Sequence, residues 1–335
     1  MNILAMDLGK SKTVFCEYDS TNGNYEFGKV KTTPQQIHDL IVEHSPDRVV
    51  FEICTTAGWV YDIAKALEVE VEVANVNHEA WRWKNVKRKN DRDDALKLAK
   101  LSAMNQLPTV HVPKRDVRQK RAFIQYRHKL VRRRTQIKNT IRAILDKQGL
   151  AIPKGKNGWT QACLQWLGEQ SLALDKVGIE DMWRGQLWME LKMLESISKA
   201  VKEIEHKLDN LAKSDEQIKR LETIAGVGPR QAEAIVAFLD EPQRFASGKQ
   251  VGSYAGLTPK QYQSGQMDRQ GRISCQGNKL LRHLLVEISW ISLRYNPWAR
   301  QTYQRLLRGS PSRKNIAIVG ENDIKGGNDI FVLFV

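Results

Sequence analysis

Four carboxylate side chains stand where they could share a divalent metal ion. Asp7 closes the first apolar segment, Glu52 closes a later one, and Asp91 and Asp94 lie three residues apart at the start of a helical pattern. Carboxylates at the ends of neighbouring strands, facing an i, i+3 pair on a helix, can hold Mg²⁺ and leave positions open for phosphate. We therefore predict a Mg²⁺ site at Asp7, Glu52, Asp91 and Asp94, with Asp93 pointing away into solvent.

Each of these acids also has a simpler interpretation. An aspartate at the end of a strand is more often a turn former than a ligand. The cluster of three aspartates at 91, 93 and 94 could be a solvated helix end beside the basic run at 82–89. The prediction of a metal site therefore depends on the four positions occurring together. The basic run, which ends in Lys87, Arg88 and Lys89, would then neutralise backbone phosphates close to the ion.

The elements that must position these acids follow from the pattern of the first hundred residues. NILAMDLG, TVFCEYD and YEFGKVKTT predict three strands, the last two joined by a turn at 21–24. TPQQIHDLIVEH predicts a helix with Thr33 as its N-cap and Pro34 as its first residue. A strand (DRVVFEI), a helix (AGWVYDIAKAL), a strand (VEVEVANV) and a helix over 91–103 complete the order. This succession is the order of an α/β ribonuclease H-like fold.

Composition narrows the class of protein. The 335 residues are enough for two domains and a connector. The four cysteines lie far apart without a CxxC pair, which argues against a zinc module or a disulfide framework and for a reducing compartment. The sequence lacks an apolar run near the roughly 20 residues that span a bilayer. We therefore expect a soluble, cytoplasmic protein that does not contact a membrane.

Positive charge is concentrated in one segment. The net charge is +15, and residues 105–142 contain 12 basic side chains against one acidic side chain. A cationic segment of this density favours binding to a polyanion over a merely solvated helix face. We expect the helix predicted over about 118–145 to contact nucleic-acid backbone through Arg132, Arg133 and Arg134.

The middle of the chain predicts two long helices. Leu130, Ile137, Ile141 and Ile144 form an apolar seam on the basic helix. A second seam with heptad-like spacing runs from Leu187 to Leu211. Such helices predict either an antiparallel hairpin within the chain or a dimerising coiled coil, and the sequence leaves both open. Residues 150–186 show no clean period.

The segment LETIAGVGPRQAEAIVAFL, at 221–239, fits a helix-hairpin-helix. Its Gly-Val-Gly turn would let amides near Gly226, Gly228 and Arg230 bind a phosphate, although simple helix packing would also explain the turn. The glycine-punctuated segment that follows could present Ser264, Ser274 or Tyr262 as a nucleophile, without a His and Asp spaced for a hydrolase triad. Arg272 and Ser274 are candidates for phosphate contact. Ser274 could instead cap a helix that begins near Asn278.

Five motifs together resemble a known family. AMDLGKSK, FEICTTAGWV, KNDRDDA, IAGVGPRQA and YAGLTPKQYQSG occur in the order found in the DEDD transposases of bacterial insertion sequences, also called bridge-RNA-guided serine recombinases. The resemblance implies a RuvC-like metal-binding domain (1–110), a basic helical coiled-coil linker (111–215), and a mainly α transposase domain with a helix-hairpin-helix (216–319). Residues 320–335 depart from the family as an atypical tail.

The resemblance also implies a mechanism. Asp7, Glu52, Asp91 and Asp94 would be the acidic tetrad, and Ser264 would be the nucleophile that forms a 5′-phosphoserine link and leaves a free 3′-OH. The implied partners are donor and target DNA, a structured non-coding guide (bridge) RNA, and further copies of the chain, as a dimer that assembles to a tetramer. The protein would then read shape and backbone, while base pairing reads sequence.

Two other functions fit the same residues. A metal-dependent junction endonuclease would use the four carboxylates and water, with Ser264 an ordinary loop residue. A non-catalytic nucleic-acid-binding remnant of a mobile element would keep the basic surface and lose the chemistry. A covalent protein–DNA adduct separates the first alternative from the serine recombinase, and strand cleavage with Mg²⁺ separates the second.

Overall fold

The computed structural model describes residues 1–75, 90–153, 158–265 and 267–307. The chain divides into two compact units, Met1–Arg118 and a second that starts at Gln119. The basic residues Lys87, Arg88 and Lys89 and the tail at 320–335 lie outside the described residues. None of the described helices combines the length and the apolar character that a membrane span needs.

The first unit is built on a five-stranded mixed sheet. Its strands are β1 (Asn2–Leu8), β2 (Lys12–Asp19), β3 (Tyr25–Lys31), β4 (Arg48–Glu52) and β5 (Glu70–Ala74). They lie in the order β3-β2-β1-β4-β5. β1 pairs antiparallel with β2 and parallel with β4, and β4 pairs parallel with β5. This arrangement is ribonuclease H-like, so the fold predicted for the first hundred residues is confirmed.

Helices cover both faces of this sheet. α1 (Pro34–His44) and α2 (Ala57–Ala66) pack on one face, and α3 (Asp91–Ala103) packs on the other. Alternation along β1 explains the division, because successive side chains of a strand point to opposite faces. Leu4 and Met6 join the core under α1 and α2, whereas Ile3 and Ala5 join the core under α3.

The second unit is mostly helical. α4 (Arg115–Asp146) begins before the boundary between the units and is the longest helix of the described residues. The elements that follow are α5 (Gln161–Gln170), α6 (Met182–Ala212), α7 (Glu216–Glu222), α8 (Pro229–Leu239), α9 (Gly248–Tyr254), the hairpin strands β6 (Pro259–Ser264) and β7 (Met267–Ile273), α10 (Lys279–Tyr295) and α11 (Pro297–Leu307). β6 and β7 form a separate two-stranded antiparallel sheet.

The two long helices bury their apolar seams within one chain. Ile141 and Leu145, late in α4, share a core with Leu187 and Leu194, early in α6. The opposite ends share a second core, which also contains residues of α7, α8 and α10. The two helices are therefore antiparallel neighbours, as in the first of the two predicted arrangements. Dimerisation through a coiled coil remains a prediction.

Candidate active site

Asp7 and Glu52 lie side by side at the carboxyl ends of two neighbouring central strands. Asp7 is the penultimate residue of β1, and Glu52 is the last residue of β4. The parallel register pairs Met6 with Phe51, so the next residue of each strand is one of these acids. Because neighbouring strands lie about 4.8 Å apart, the two carboxylates start from adjacent backbone positions.

Both side chains fall on the face of the sheet that α3 covers. Ala5 and Val50 precede Asp7 and Glu52 by two residues each, and both belong to the core shared with α3. Residues two apart on a strand point to the same face. The two acids therefore extend the rows of side chains that pack under α3, at the end where buried apolar residues give way to half-buried ones.

Asp91 and Asp94 occupy the first turn of α3. Ala95 and Leu98 follow them on the same helical face and are completely buried, and Leu98 belongs to the core between α3 and the sheet. Asp94 is half-buried and Asp91 is exposed, whereas Asp93 lies off this face and is exposed, as predicted. The acidic first turn of α3 therefore lies on the side of the carboxyl ends of β1 and β4, where Asp7 and Glu52 are.

Lys97 links the acids of α3 to those of the sheet. Partial burial lowers the pKa of Lys97 below its ordinary value, and the nearby carboxylates of Asp94 and Glu52 act in the opposite direction. The Lys97 ammonium group therefore interacts electrostatically with one carboxylate of α3 and one carboxylate of β4. Lys97 was not among the residues predicted from the sequence, although its position one turn after Asp94 could have indicated it.

The four acids lie near the carboxyl ends of β1 and β4, but their oxygens do not all converge on one point. Within the described ranges, no three of them offer carboxylate oxygens that all lie within 4.8 Å of one another. Their donor atoms are all oxygens, the type that Mg²⁺ binds. Simultaneous binding of one ion by all four carboxylates therefore remains a prediction.

Ser264 lies at the tip of the β6–β7 hairpin. It is the last residue of β6, it pairs with Met267 of β7, and it is exposed. Gly265, the next residue, has φ +57°, a left-handed conformation that glycine adopts easily and that suits a tight hairpin turn. The Ser264 hydroxyl is thus presented to solvent at the end of a projecting ribbon.

Glycines hold the base of this hairpin. Gly256 and Gly277 both have positive φ, and each packs directly on backbone. A Cβ at Gly256 would lie 1.9 Å from the carbonyl oxygen of Gln276, and one at Gly277 would lie 2.1 Å from that of Tyr254. No larger residue fits at either position. The glycine punctuation of this segment therefore builds a fixed base for the ribbon.

Ser274 does not cap the helix that follows the hairpin. The N-cap of α10 is Asn278, whose side chain accepts hydrogen bonds from the amides of Leu280 (2.9 Å) and Leu281 (3.0 Å). The capping role suggested for Ser274 is therefore wrong, because Asn278 directly precedes the helix and places an oxygen on its orphan amides. Ser274 is half-buried beyond β7, and Arg272 is exposed on β7.

Two family models match this chain. One, described as the transposase IS116/IS110/IS902 family, matches residues 218–304, and the other, described as a transposase and named for the DEDD transposases of IS110, matches residues 4–148. The chain belongs to the IS110 family of DEDD transposases. The first match includes the hairpin with Ser264, and the second includes all four acids of the tetrad.

Relatives of this chain are also described as transposases. The chain is 26% identical to the transposase for insertion sequence element IS1111A of Coxiella burnetii over 88% of this chain and 79% of that protein. It is also 26% identical to the transposase for insertion sequence element IS1328 of Yersinia enterocolitica, over 86% and 82%. Thermus thermophilus RuvC in complex with a Holliday junction substrate matches 33% of this chain and 99% of that chain, with 15% identity and a TM-score of 0.24. The ribonuclease H-like fold of the first unit rests on its own strand order.

The turn between α7 and α8 of the transposase is closely packed. Gly226 has φ +102°, and a Cβ there would lie 3.0 Å from Oγ of Ser292 on α10. The amide of Gly228 donates a hydrogen bond to the side-chain oxygen of Gln231 (3.2 Å). These contacts give both glycines a packing role, and their contact with phosphate remains a prediction.

Arg230 is engaged within the transposase. Its guanidinium forms ion pairs with Asp209 of α6 and Glu233 of α8. Burial raises the pKa of Glu233 to about 7, against the opposing influence of Arg230 and Arg127. Contact between Arg230 and nucleic acid, which the sequence predicted, would have to compete with these two carboxylates.

Five arginines of α4 fall into two groups, one engaged with other helices and one without carboxylate partners among the described residues. Arg121 donates to the carbonyl oxygens of Ala237 (2.6 Å) and Phe238 (3.1 Å) at the end of α8, and Arg127 pairs with Glu205 of α6. These arginines hold helices together. Arg132 and Arg133 are exposed and Arg134 is half-buried, and none of the three pairs with a carboxylate of the described residues. The second group is available to phosphate.

Proposed function

We propose that this transposase cuts and rejoins DNA through a covalent link to Ser264, with Mg²⁺ held by Asp7, Glu52, Asp91 and Asp94. The observation that carries the proposal is the exposure of Ser264 at the tip of a hairpin whose base is fixed by glycines. A hydroxyl in that position can approach a backbone phosphorus atom without any opening of the fold. Its place in the YQSG motif of the family supports the choice of Ser264 over Ser274 and Tyr262.

The reaction is a pair of transesterifications. Oγ of Ser264 attacks phosphorus, so that an Oγ–P bond forms and the P–O3′ bond breaks. The serine proton leaves Oγ, and a proton ends on the departing oxygen as a free 3′-OH. Attack of a 3′-OH on the phosphoserine reverses each step and releases the serine. Because the phosphoester bond energy is kept in the protein link, rejoining needs no external energy source.

The tetrad residues fit a hard divalent cation. The strand register makes Asp7 and Glu52 neighbours, and the carboxylates of Asp94 and Glu52 both act electrostatically on Lys97. Every donor atom of the four residues is a carboxylate oxygen. When bound, Mg²⁺ supplies charge neutralisation at phosphate and lowers the pKa of a coordinated hydroxyl. The carboxylates would position the ion and so determine where the negative charge of a phosphate is neutralised. Lys97 adds a positive charge beside them.

The partners of the reaction are proposed from the family resemblance and from the surface of α4. A structured guide RNA would pair with donor and target DNA, and a dimer of the chain would assemble to a tetramer. Arg132 and Arg133, which are exposed, and the half-buried Arg134 support this proposal, because cations that have no carboxylate partner among the described residues can bind backbone of any sequence. We place the reaction in the cytoplasm as part of this proposal.

A water-using nuclease is the second candidate function. The observation that favours it is that all four carboxylates and the sheet that positions them belong to the first unit alone. In that case water would attack phosphorus, and Ser264 would be an ordinary turn residue. A non-catalytic remnant, the third candidate, would bind nucleic acid without cutting it.

A denaturing gel separates these functions. The protein, with the RNA that copurifies with it, is mixed with Mg²⁺ and end-labelled DNA that spans the element's junction. We expect a labelled protein–DNA adduct that Ser264→Ala eliminates and that Ser274→Ala and Tyr262→Phe retain. Cleavage without any adduct would favour the nuclease, and neither cleavage nor adduct would favour the remnant. An adduct that survives in Ser264→Ala and disappears in Tyr262→Phe would assign the nucleophile to Tyr262.

A further inference from the structure

One face of the β6–β7 hairpin brings an aromatic ring and a cation next to Ser264. Tyr262 and Ser264 are two residues apart on β6, so their side chains leave the same face about 6.7 Å apart. The register pairs Tyr262 with Arg269 of β7, which places Arg269 on that face as well. Arg269 is exposed, and Tyr262 is 53% exposed.

The Tyr262 ring lies over Gly271 of β7. A Cβ on Gly271 would stand 2.8 Å from Cε2 of Tyr262, closer than any real side chain would allow. This glycine does not have a positive φ, so the backbone conformation does not require it. Its absent side chain leaves room for the ring to lie across the backbone of β7, as glycines in strands commonly do where another group approaches closely.

A ring placed in this way is suited to stacking. One side of the ring rests on the strand, and the exposure of the side chain leaves the other side open to a ligand. A tyrosine has few rotatable bonds, so contact with a flat partner costs little conformational entropy. Every nucleobase has a π-face, which allows aromatic side chains to bind single strands of any sequence.

We propose that Tyr262 is a stacking platform for an unpaired DNA base next to the phosphate that Ser264 attacks, and that Arg269 binds a neighbouring backbone phosphate. The inference rests on the proposed function, because it assumes that the hairpin tip meets DNA. It adds the ligand at this position: a single-stranded segment whose unstacked base is recognised by its face. Arg269, on the opposite strand of the same ribbon, supplies the charge that the phosphate needs.

A structural role for the ring is the competing explanation. An aromatic side chain laid over a glycine on a neighbouring strand also stabilises a sheet by itself. If that were its whole role, Tyr262 would not contact DNA, and its loss would affect the stability of the hairpin and no contact with a base. The test therefore needs a readout at the residue itself.

Photocrosslinking gives that readout. Full-length protein carrying Ser264→Ala is irradiated with a mixed-sequence single-stranded DNA that contains 5-iodouracil, and tryptic peptides are analysed by mass spectrometry. Cleavage after Lys260 and Arg269 releases residues 261–269, in which Tyr262 is the one aromatic residue. We expect a DNA adduct on Tyr262 in this peptide.

Substitutions of the ring extend the test. Tyr262→Phe and Tyr262→Trp should keep the affinity for this DNA, measured by fluorescence anisotropy, and Tyr262→Leu should weaken it roughly 5- to 100-fold. Tyr295→Leu is the matched control, because Tyr295 is 66% exposed at the end of α10 and should leave the affinity and the adduct unchanged. Circular dichroism confirms that each variant is folded.

Several results would overturn the proposal. They are the absence of an adduct on residues 261–269, an unchanged affinity in Tyr262→Leu, a loss in Tyr262→Phe equal to that in Tyr262→Leu, or an adduct with RNA of the same sequence and none with DNA. The Ser264→Ala background keeps this test independent of the nucleophile. If Tyr262 crosslinks to DNA but the wild-type protein never forms a phosphoserine link, the proposed chemistry is wrong and the stacking site is retained.

Discussion

Nη1 of Arg230 lies 3.3 Å from Oε2 of Glu233, one turn further along α8, and both atoms are buried without a hydrogen bond of good geometry. Burial is the main influence on this carboxyl group, and it raises the pKa of Glu233 to about 7. The helix therefore contains an acid that is costly to ionise. Its protonation should be visible in the stability of the protein.

The first prediction concerns that protonation. The folded pKa of Glu233 is above its ordinary value of 4.5, so its stabilising contribution is complete below about pH 4.5 and is lost as pH rises through about 7. Relative to Glu233→Gln, the wild type should lose on the order of 2–3 kcal/mol of unfolding free energy between pH 4.5 and 8. Urea denaturation across this range, followed by circular dichroism, measures the difference.

A matched control for this prediction is Glu203→Gln on α6. Glu203 is exposed, so its replacement should leave the pH dependence of unfolding close to that of the wild type. A difference between wild type and Glu233→Gln that stays constant from pH 4.5 to 8 would mean that Glu233 titrates normally in the folded chain.

The second prediction concerns the metal. Asp94→Asn should lower Mg²⁺-dependent strand cleavage at least about 100-fold, because a neutral amide is a weaker ligand and leaves phosphate charge less compensated. Asp93→Asn is the matched control, since Asp93 loses the same charge from the same helical turn but is exposed off the tetrad face. Mn²⁺ binding, followed by electron paramagnetic resonance, should weaken in Asp94→Asn and remain unchanged in Asp93→Asn. Equal effects of the two variants would exclude a specific site.

The third prediction concerns the arginine cluster of α4. Changing Arg132, Arg133 and Arg134 to Gln should weaken DNA binding irrespective of sequence and flatten the plot of log affinity against log salt by up to about 3, because each phosphate contact contributes roughly 0.9 to that slope. The control removes three exposed lysines of α6 that share the same unit, Lys199, Lys202 and Lys207. Should both triple variants show the same slope, net charge rather than a defined surface would explain binding.

The fourth prediction concerns the α7–α8 turn. Gly226→Ala should destabilise the protein by about 1–3 kcal/mol, because the residue has φ +102° and its Cβ would meet Ser292. Gly252→Ala, in α9, should be neutral or slightly stabilising, since a Cβ there has nothing within 4 Å and alanine favours a helix. Thermal unfolding compares the two. If both glycines tolerate alanine equally, the packing of this turn on α10 contributes nothing to stability.

The sequence was sufficient to predict most of the first unit. The strand and helix order, the N-cap at Thr33 and the start of α3 at Asp91 all agree with the structure. These features depend on hydrophobic periodicity and on hydrogen bonds between residues a few positions apart. For the same reason Asp7 and Glu52 could be placed at strand ends before the sheet was known. The choice of Ser264 came from a family motif and remains a prediction about chemistry.

Only the tertiary structure decided which charges of the second unit are engaged. Arg127 and Glu205 are 78 residues apart in sequence, and the Ser292 hydroxyl that meets the α7–α8 turn binds a carbonyl 67 residues away. The register of β6 and β7 likewise decided that Arg269 shares the face of Tyr262 and Ser264. The sequence by itself determined the elements and where the acids stand on them, because backbone preferences and periodicity act locally. The partners of each cation and glycine depend on how distant helices pack, which no local pattern contains.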